Sequence, residues 1–455
     1  MTQDTIAAIS TPSGEGGVGI IRISGENAFN IGKKIFRPSK PGEWLSESYK
    51  MHYGHIVDSS SGRVIDEVLL SVMKAPHTYT REDVLEINCH GGMVPLKETL
   101  RLVLSLGARL AEPGEFTKRA FINGRIDLSQ AESVIDVIRS KTETSLRVAM
   151  SQLGGGLSKK IKSLQDSILG ILAEIEASID FPEDDIEERA VQEILKSAQK
   201  IVRQLDELIS AADRGKIYRD GLKTVIIGRP NVGKSSLLNA LLGRERAIVT
   251  NIPGTTRDVI EEMVNIRGIP LILADTAGLR ETEDLVEKIG VEKTREFLAG
   301  AELVLFVVDA SEGITRGDRE ILNNVDREKT LLIINKKDLA EKAVIGDEWN
   351  LNRVEISALL GEGLERLEKK IEEIATGGKT GLSDSIMVSN LRHEEVLNRA
   401  RKHMEDFVAS LKGGVPADLL SIDIRNSWEA LGEITGSTVT EDLLDRIFND
   451  FCIGK

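Results

Sequence analysis

Residues Gly228 to Ser235 read GRPNVGKS, between an apolar run, TVII, and a helical run, SSLLNALLG. A glycine-rich turn between a strand and a helix N-terminus is where backbone N–H groups converge on an anion, so this is a phosphate loop in the context its physics requires. The glycines let the N–H groups turn inward, Lys234 reaches the outer phosphate oxygens, and Ser235 offers a hydroxyl to Mg²⁺. One such loop leaves the nucleotide open.

Four further elements narrow it. GTTRD at 254 to 258 carries Thr256, a second hydroxyl for Mg²⁺, in a loop of the kind that orders around a γ-phosphate. DTAG at 275 to 278 follows the strand-like IPLILA and puts Asp275 behind the metal and the Gly278 amide near the γ-phosphate. NKKD at 335 to 338 follows TLLII. There Asp338 can accept from both the N1–H and the exocyclic amine of guanine, a pattern that adenine reverses. Ser357 and Ala358, after VEI, complete a base pocket. Five elements in this order specify GTP. The expected contacts are Asn231, Val232, Gly233, Lys234, Ser235 and Ser236; then Thr250, Asn251, Ile252, Pro253, Gly254, Thr255 and Thr256; then Asp275, Thr276, Ala277 and Gly278; and Asn335, Lys336, Asp338, Ser357 and Ala358 around the base.

Hydrolysis needs a held water. Leu279 follows Gly278, where Ras-like hydrolases carry the glutamine that orients the attacking water. A leucine cannot hold water, so another group must. Asn231 could join backbone oxygens of the GTTRD loop around a monovalent cation, putting charge where an arginine finger acts elsewhere. On the residue alone, a loop-stabilising asparagine is an equal reading. Glu287, in ETEDLVEKIG, is a candidate carboxylate for the water, although that charge-rich run reads equally as a solvated face.

The elements that position these residues belong to a multidomain chain. At 455 residues, and about 150 residues per domain, roughly three units are expected. Short β-rich runs alternate with turns up to about residue 110: DTIAAIST, GVGIIRIS, a hairpin of YKMHYGHIV with VIDEVLLSVM, and DVLEINC, with helical ENAFNIGKKIF and VPLKETLRLVLSLG between them. This predicts an α+β domain over 1–118. Ser129 with Glu132 forms a capping-box signature opening a helical region over 119–216, broken at Gly154 to Gly156. Strands alternate with helices over 217–377, the α/β pattern of a P-loop domain. Residues 378–455 are helical again and thin for a core of their own. They are expected to complete the first helical region, making one discontinuous helical domain with the nucleotide domain inserted.

Composition excludes several classes. The net charge is −14 and the pI near 5.2, which argues against a generic basic surface for nucleic acid. No apolar run approaches the ~18 residues of a membrane span, and MTQDTIAAIS has no signal-peptide pattern, so a cytoplasmic location is expected. Cys89 and Cys452 are too few for a disulfide framework. GEGGVG at 14 to 19 matches the dinucleotide fingerprint only formally, because IIRIS after it reads as a strand rather than a helix. Cys89-His90 lacks a second ligand pair for zinc and reads as a strand end. EDDIEE at 183 to 188 reads as an acidic helix start, and Cys452 as either a reactive thiol or a small apolar residue, burial being the commoner fate.

GRPNVGKSS, GTTRD, DTAGLR, DTIAAISTPSGEGGVGIIRISG, PGEFTKRAFINGRIDLSQAES and the terminal FCIGK together make the chain closely resemble the bacterial tRNA-modification GTPase family MnmE, also called TrmE. The resemblance extends over essentially the whole chain. It implies an N-terminal folate-binding domain that also makes a homodimer, a discontinuous helical domain and an inserted Ras-like GTPase domain. It further implies K⁺ held by Asn231, Thr250, Ile252 and Thr255, and Glu287 acting through water. A folate site is implied at Arg22, Glu86, Arg125 and Lys455, with Arg125 where some members have lysine. The implied reaction adds an aminomethyl or carboxymethylaminomethyl group to C5 of the wobble uridine of certain tRNAs. A 5,10-methylene-tetrahydrofolate, or a formyl-tetrahydrofolate analogue, would fill the folate site, and the flavin- and NADH-dependent protein GidA/MnmG is the implied partner. Two other classes lack their sequence features. A regulatory GTPase for ribosome assembly calls for a basic RNA-binding module, and a membrane-remodelling GTPase calls for an amphipathic or apolar anchor; neither is apparent.

Overall fold

The structure is a computed structural model that describes residues 4–12, 14–180, 188–244, 262–273, 300–339, 349, 351–378 and 387–455. By packing, the chain divides into two compact units. The first comprises Met1–Ile135, Leu153–Gln165 and Trp428–Lys455; the second comprises Asp136–Gln152 and Asp166–Ser427.

The first unit is built on β1 (Ile6–Ile9), β2 (Gly16–Ser24), β3 (Phe36–Pro38), β4 (Lys50–Val57), β5 (Val64–Met73), β6 (Val84–Gly91) and β7 (Arg109–Leu110), in the order β3-β4-β5-β6-β2-β1-β7. The expected hairpin is present as β4 and β5, with Tyr53 opposite Leu69 and Gly54 opposite Val68. Alternate residues Ile21, Ile23, Leu70, Val72, Leu85 and Ile87 share a core with Ile31 and Ile35 of helix Ala28–Ile35 and Leu96 and Val103 of helix Met93–Ser105. GEGGVG runs into β2, so the dinucleotide match fails for the reason expected.

Helix Leu128–Arg139 opens with a box two residues earlier than the sequence signature suggested. Asp127, not Ser129, caps it. The Asp127 carboxylate accepts from Gln130 N at 3.0 Å and the Gln130 side chain accepts from Asp127 N at 3.0 Å, an acid and an amide replacing the Ser–Glu pair. Its Leu128, Ala131 and Ile135 bury Leu444, Phe448 and Phe451, so helix Glu441–Asn449 and the chain end belong to this unit. A bridge from Pro113 to Ile453 fixes the last residues in place.

The second unit carries β8 (Leu222–Ile227), β9 (Glu262–Ile266), β10 (Ile269–Leu273), β11 (Leu303–Asp309), β12 (Thr330–Asn335) and β13 (Asn352–Glu355). They lie in the order β13-β12-β11-β8-β10-β9, parallel except for the β9–β10 hairpin. β11 is buried throughout its length, as a central parallel strand covered on both faces must be. The chain order reverses beside β8, which puts a ligand crevice at the carboxyl end of that strand. Helix Leu391–Lys412 packs along helix Glu188–Asp220, where Arg401 bonds Asp206 at 3.1 Å. The triple glycine ends helix Glu143–Leu153, with Gly155 at φ +81°, before helix Gly156–Asp180 begins.

Candidate functional site

The phosphate loop leaves β8 at Gly228 and enters helix Lys234–Arg244, the geometry required for an anion at a helix N-terminus. Gly233 sits at φ +97°, and a Cβ there would lie 2.2 Å from the Asn335 side-chain nitrogen, so only glycine fits. The Lys234 ammonium donates to the carbonyls of Gly228 at 2.9 Å and Arg229 at 2.7 Å, arching back over the loop. Burial pushes its pKa down from the ordinary lysine value, and a phosphate beside it would favour the charged form and oppose that shift. Ser235 and Ser236 follow at the start of the helix, both exposed.

Asn335 ties the phosphate loop to the base pocket. Its amide donates to the Val232 carbonyl at 3.0 Å and its carbonyl accepts from Ala358 N at 3.0 Å, both bonds buried. Ser357 is fully buried and bonds back to Glu362 through its backbone. Lys336, at φ +64°, pairs with the buried Asp309 at 2.6 Å, which holds its stem across the pocket. Asp338 is exposed at the end of this loop. Asn231, at φ +61°, is also exposed, and its side chain has no hydrogen-bond partner among the described residues. Of the four expected monovalent-cation ligands only Asn231 is among the described residues.

The sequence reading missed Arg229. Its guanidinium bonds both oxygens of the buried Asp318 at 3.0 Å and Glu312 at 2.7 Å, locking the loop to helix Arg316–Leu322. An arginine inside a phosphate loop was the available signal, but its partners lie some 80 residues away. Thr250, Asn251, Ile252, Pro253, Gly254, Thr255, Thr256, Asp275, Thr276, Ala277, Gly278, Leu279 and Glu287 lie outside the described residues, as does most of EDDIEE.

In the first unit, Arg22, Glu86 and Lys455 converge. Arg22 bonds Glu86 at 2.8 Å and the Gly454 carbonyl at 3.2 Å. Burial, and then the charge of Arg22, hold the Lys455 pKa below its ordinary value. Arg125 joins them through a shared aromatic: its guanidinium lies 4.7 Å from the Tyr79 ring centre, and that of Arg22 lies 5.7 Å from the same ring and 5.5 Å from that of Phe116. Three cations and one carboxylate around aromatic faces fit a flat heterocycle that carries carboxylates. Tyr79 was not foreseen, since nothing local marks an aromatic as lining a site; Phe116 is a fully buried core residue against which Arg22 lies.

Cys452 is exposed beside this cluster, correcting the expectation of burial: Phe451 and Gly454 turn inward while Cys452 and Ile453 between them face solvent. Cys89 is buried, and burial raises its thiol pKa to about 12, so it is neither nucleophile nor ligand. Its neighbour His90 bonds Asp66 at 2.6 Å, and no group of metal-ligating side chains is present among the described residues.

Two family models divide the chain between them: "GTP-binding protein TrmE N-terminus" matches residues 5–125, and "MnmE helical domain" matches residues 128–452. The chain belongs to the MnmE family of tRNA modification GTPases. It is 55% identical over 461 residues to the "tRNA modification GTPase MnmE" of Desulforamulus reducens, and 53% identical over 460 residues to that of Thermoanaerobacter pseudethanolicus. In both cases the whole of both chains is covered. Among solved structures, the G domain of the T. maritima FeoB iron transporter is 32% identical over 34% of this chain and 98% of its own, with a TM-score of 0.26. No helix among the described residues of this MnmE-family chain is long and apolar enough to cross a membrane.

Proposed function

We propose that the chain is a K⁺-stimulated GTPase of the cytoplasm. With a flavin-dependent partner of the GidA/MnmG type, it would add a (carboxymethyl)aminomethyl group to C5 of the wobble uridine of certain tRNAs. The observation that carries the nucleotide part is the interlock of Gly233, Asn335 and Ala358, which binds a phosphate cradle to a guanine-reading loop in one rigid piece. GTP contacts then run from Asn231 to Ser236, over Thr250 to Thr256 and Asp275 to Gly278, and include Asn335, Lys336, Asp338, Ser357 and Ala358 around the base. Ser235 and Thr256 would hold Mg²⁺; Asn231, Thr250, Ile252 and Thr255 would hold K⁺. Bound there, the two cations supply positive charge to the phosphate oxygens as the leaving group departs. Lys234 orients the terminal phosphate, Asn231 fixes the monovalent ion, and Glu287 positions the attacking water that Leu279 cannot. Turnover should therefore be several-fold to orders of magnitude faster in K⁺ than in Na⁺, measured as phosphate release at matched ionic strength. Equal rates in the two salts would remove the cation from the reading.

Support for the folate part is the cluster of Arg22, Glu86, Arg125 and Lys455 about Tyr79. There the cations would bind the carboxylates of a 5,10-methylene- or formyl-tetrahydrofolate and Glu86 its amino-substituted ring. The folate would supply the one-carbon unit. Self-association through the N-terminal domain is supported by Met51, Tyr53 and Leu69, large side chains exposed on β4 and β5. Residues 119–216 and 378–455 would be the two halves of the helical domain, with 217–377 inserted. The acidic net charge is consistent with the partner making much of the tRNA contact.

A further inference from the structure

The hairpin of β9 and β10 occupies a particular place along the chain. β9 starts at Glu262, four residues after the GTTRD loop ends, and β10 ends at Leu273, two residues before DTAG begins. Its far end is a two-residue turn, Arg267 at φ +52° and Gly268 at φ +90°, the pairing that right-twisted strands favour. That turn is seated on the N-terminus of helix Glu143–Leu153, a segment outside the nucleotide domain proper. The Thr142 hydroxyl donates to the Gly268 carbonyl at 2.8 Å and accepts from Ser145 N at 3.1 Å, so one oxygen both caps the helix and holds the turn. The fit is close: a Cβ on Gly268 would come within 2.2 Å of the Thr144 hydroxyl. One turn further along, Val148 lies in the same core as Val264, Ile266, Ile269 and Leu271 of the hairpin. A cavity of about 190 Å³ beside the helix, lined in part by Lys141, Ser145, Val148, Arg219 and Ser389, leaves this support room to move.

The chain path gives the contact its direction. Asp136–Gln152 packs in the unit of the nucleotide fold, whereas the chain on either side of it, Met1–Ile135 and Leu153–Gln165, belongs to the unit that holds Arg22, Arg125 and Lys455. We propose that Thr142 is a positioning residue for GTP turnover, holding the hairpin that joins the two γ-phosphate-sensing segments, and that this contact couples nucleotide state to the folate cluster. A turn held at its far end fixes the register of both strands, and with it the points at which the chain leaves the hairpin toward the two segments. Because coupling is reciprocal, folate bound in the first unit changes GTP affinity by the same factor as GTP changes folate affinity, and both changes pass through this turn.

The inference rests on the GTPase reading above, and wild-type nucleotide binding and turnover test that reading separately. The experiment uses the full-length chain as wild type, Thr142→Val, Thr142→Ser and Gly268→Ala. It measures the affinity for a fluorescent GTP analogue, steady-state kcat, thermal stability, and the effect of 5-formyl-tetrahydrofolate on nucleotide affinity. Losing one neutral hydrogen bond should lower kcat by about three- to tenfold. The expected result is that lower kcat in Thr142→Val and Gly268→Ala, with nucleotide affinity within about twofold, no folate effect on nucleotide affinity, and wild-type behaviour in Thr142→Ser. The proposal is overturned if Thr142→Val turns over at the wild-type rate, if Val and Ser variants fall alike, if affinity and stability fall together with kcat, or if folate still shifts nucleotide affinity in both Thr142→Val and Gly268→Ala.

Discussion

Replacing Asn335 by alanine tests whether one buried amide carries the link between phosphate loop and base pocket. The side chain makes two bonds of 3.0 Å, to the Val232 carbonyl and from the Ala358 amide, in a place where Val232 is 1% exposed and Ala358 is 8% exposed. Removing it strands one acceptor and one donor. A buried polar group left unpaired costs about 1–3 kcal/mol, so the two together cost about 2–6 kcal/mol, the lower figure applying if water enters the gap. Alanine also leaves empty the space that Gly233 keeps clear for this side chain. If the interlock is needed to bind nucleotide, even about 2 kcal/mol weakens GTP by roughly thirtyfold. Titrating a fluorescent GTP analogue at fixed Mg²⁺ reads this directly, with thermal melting as a check that the fold survives. Asn335→Asp should do no better, since it keeps an acceptor for Ala358 N but sets a carboxylate oxygen against the Val232 carbonyl. An affinity within twofold of wild type for Asn335→Ala would refute the reasoning.

Glu287→Ala is expected to bind GTP normally and hydrolyse it slower by orders of magnitude; a near-normal rate in single-turnover assays would remove that carboxylate from the mechanism. Arg22→Ala should weaken binding of 5-formyl-tetrahydrofolate by about tenfold or more while leaving GTP affinity unchanged, because it loses a charged bond to Glu86 and two aromatic contacts at once. Lys455 titrates below the ordinary lysine value, and its charged form is the one that would bind an anion. Folate affinity is therefore full well below that pKa and declines as pH rises through it, and Lys455→Met should remove the decline. Asp66 favours the charged form of His90, raising its pKa, so the ion pair is present at pH below that raised value and is lost as pH rises through it. Asp66→Asn should return the His90 NMR titration to the ordinary range.

The nucleotide fold was legible because its signals are local. GRPNVGKS, NKKD and the strand before each fix a crevice by spacing alone, and β8, β12 and helix Lys234–Arg244 lie where those spacings require. The pairing of β4 with β5 as a hairpin was legible too, since two β-rich runs flank the turn signal DSSSGR. What escaped was long range or chemically ambiguous. Arg229 and Asp318 are 89 residues apart, and neither residue type foretells a lock. Tyr79 between Arg22 and Arg125 needs three segments to meet, which no periodicity encodes. Ser129 and Glu132 matched a capping pattern that Asp127 and Gln130 satisfy instead, because an aspartate one residue before the helix competes as well as serine for the same amide. Cys452 was expected inside on the habits of cysteine, yet the tail is held by Phe451 and the Pro113–Ile453 bridge, which leave the thiol in solvent.

Mass spectrometry of wobble uridines in tRNA from cells lacking this protein tests the assignment most directly. The expected result is loss of the (carboxymethyl)aminomethyl group at C5 in a defined set of tRNAs, restored by the wild-type chain and not by Glu287→Ala. A modification profile identical with and without the protein would contradict it.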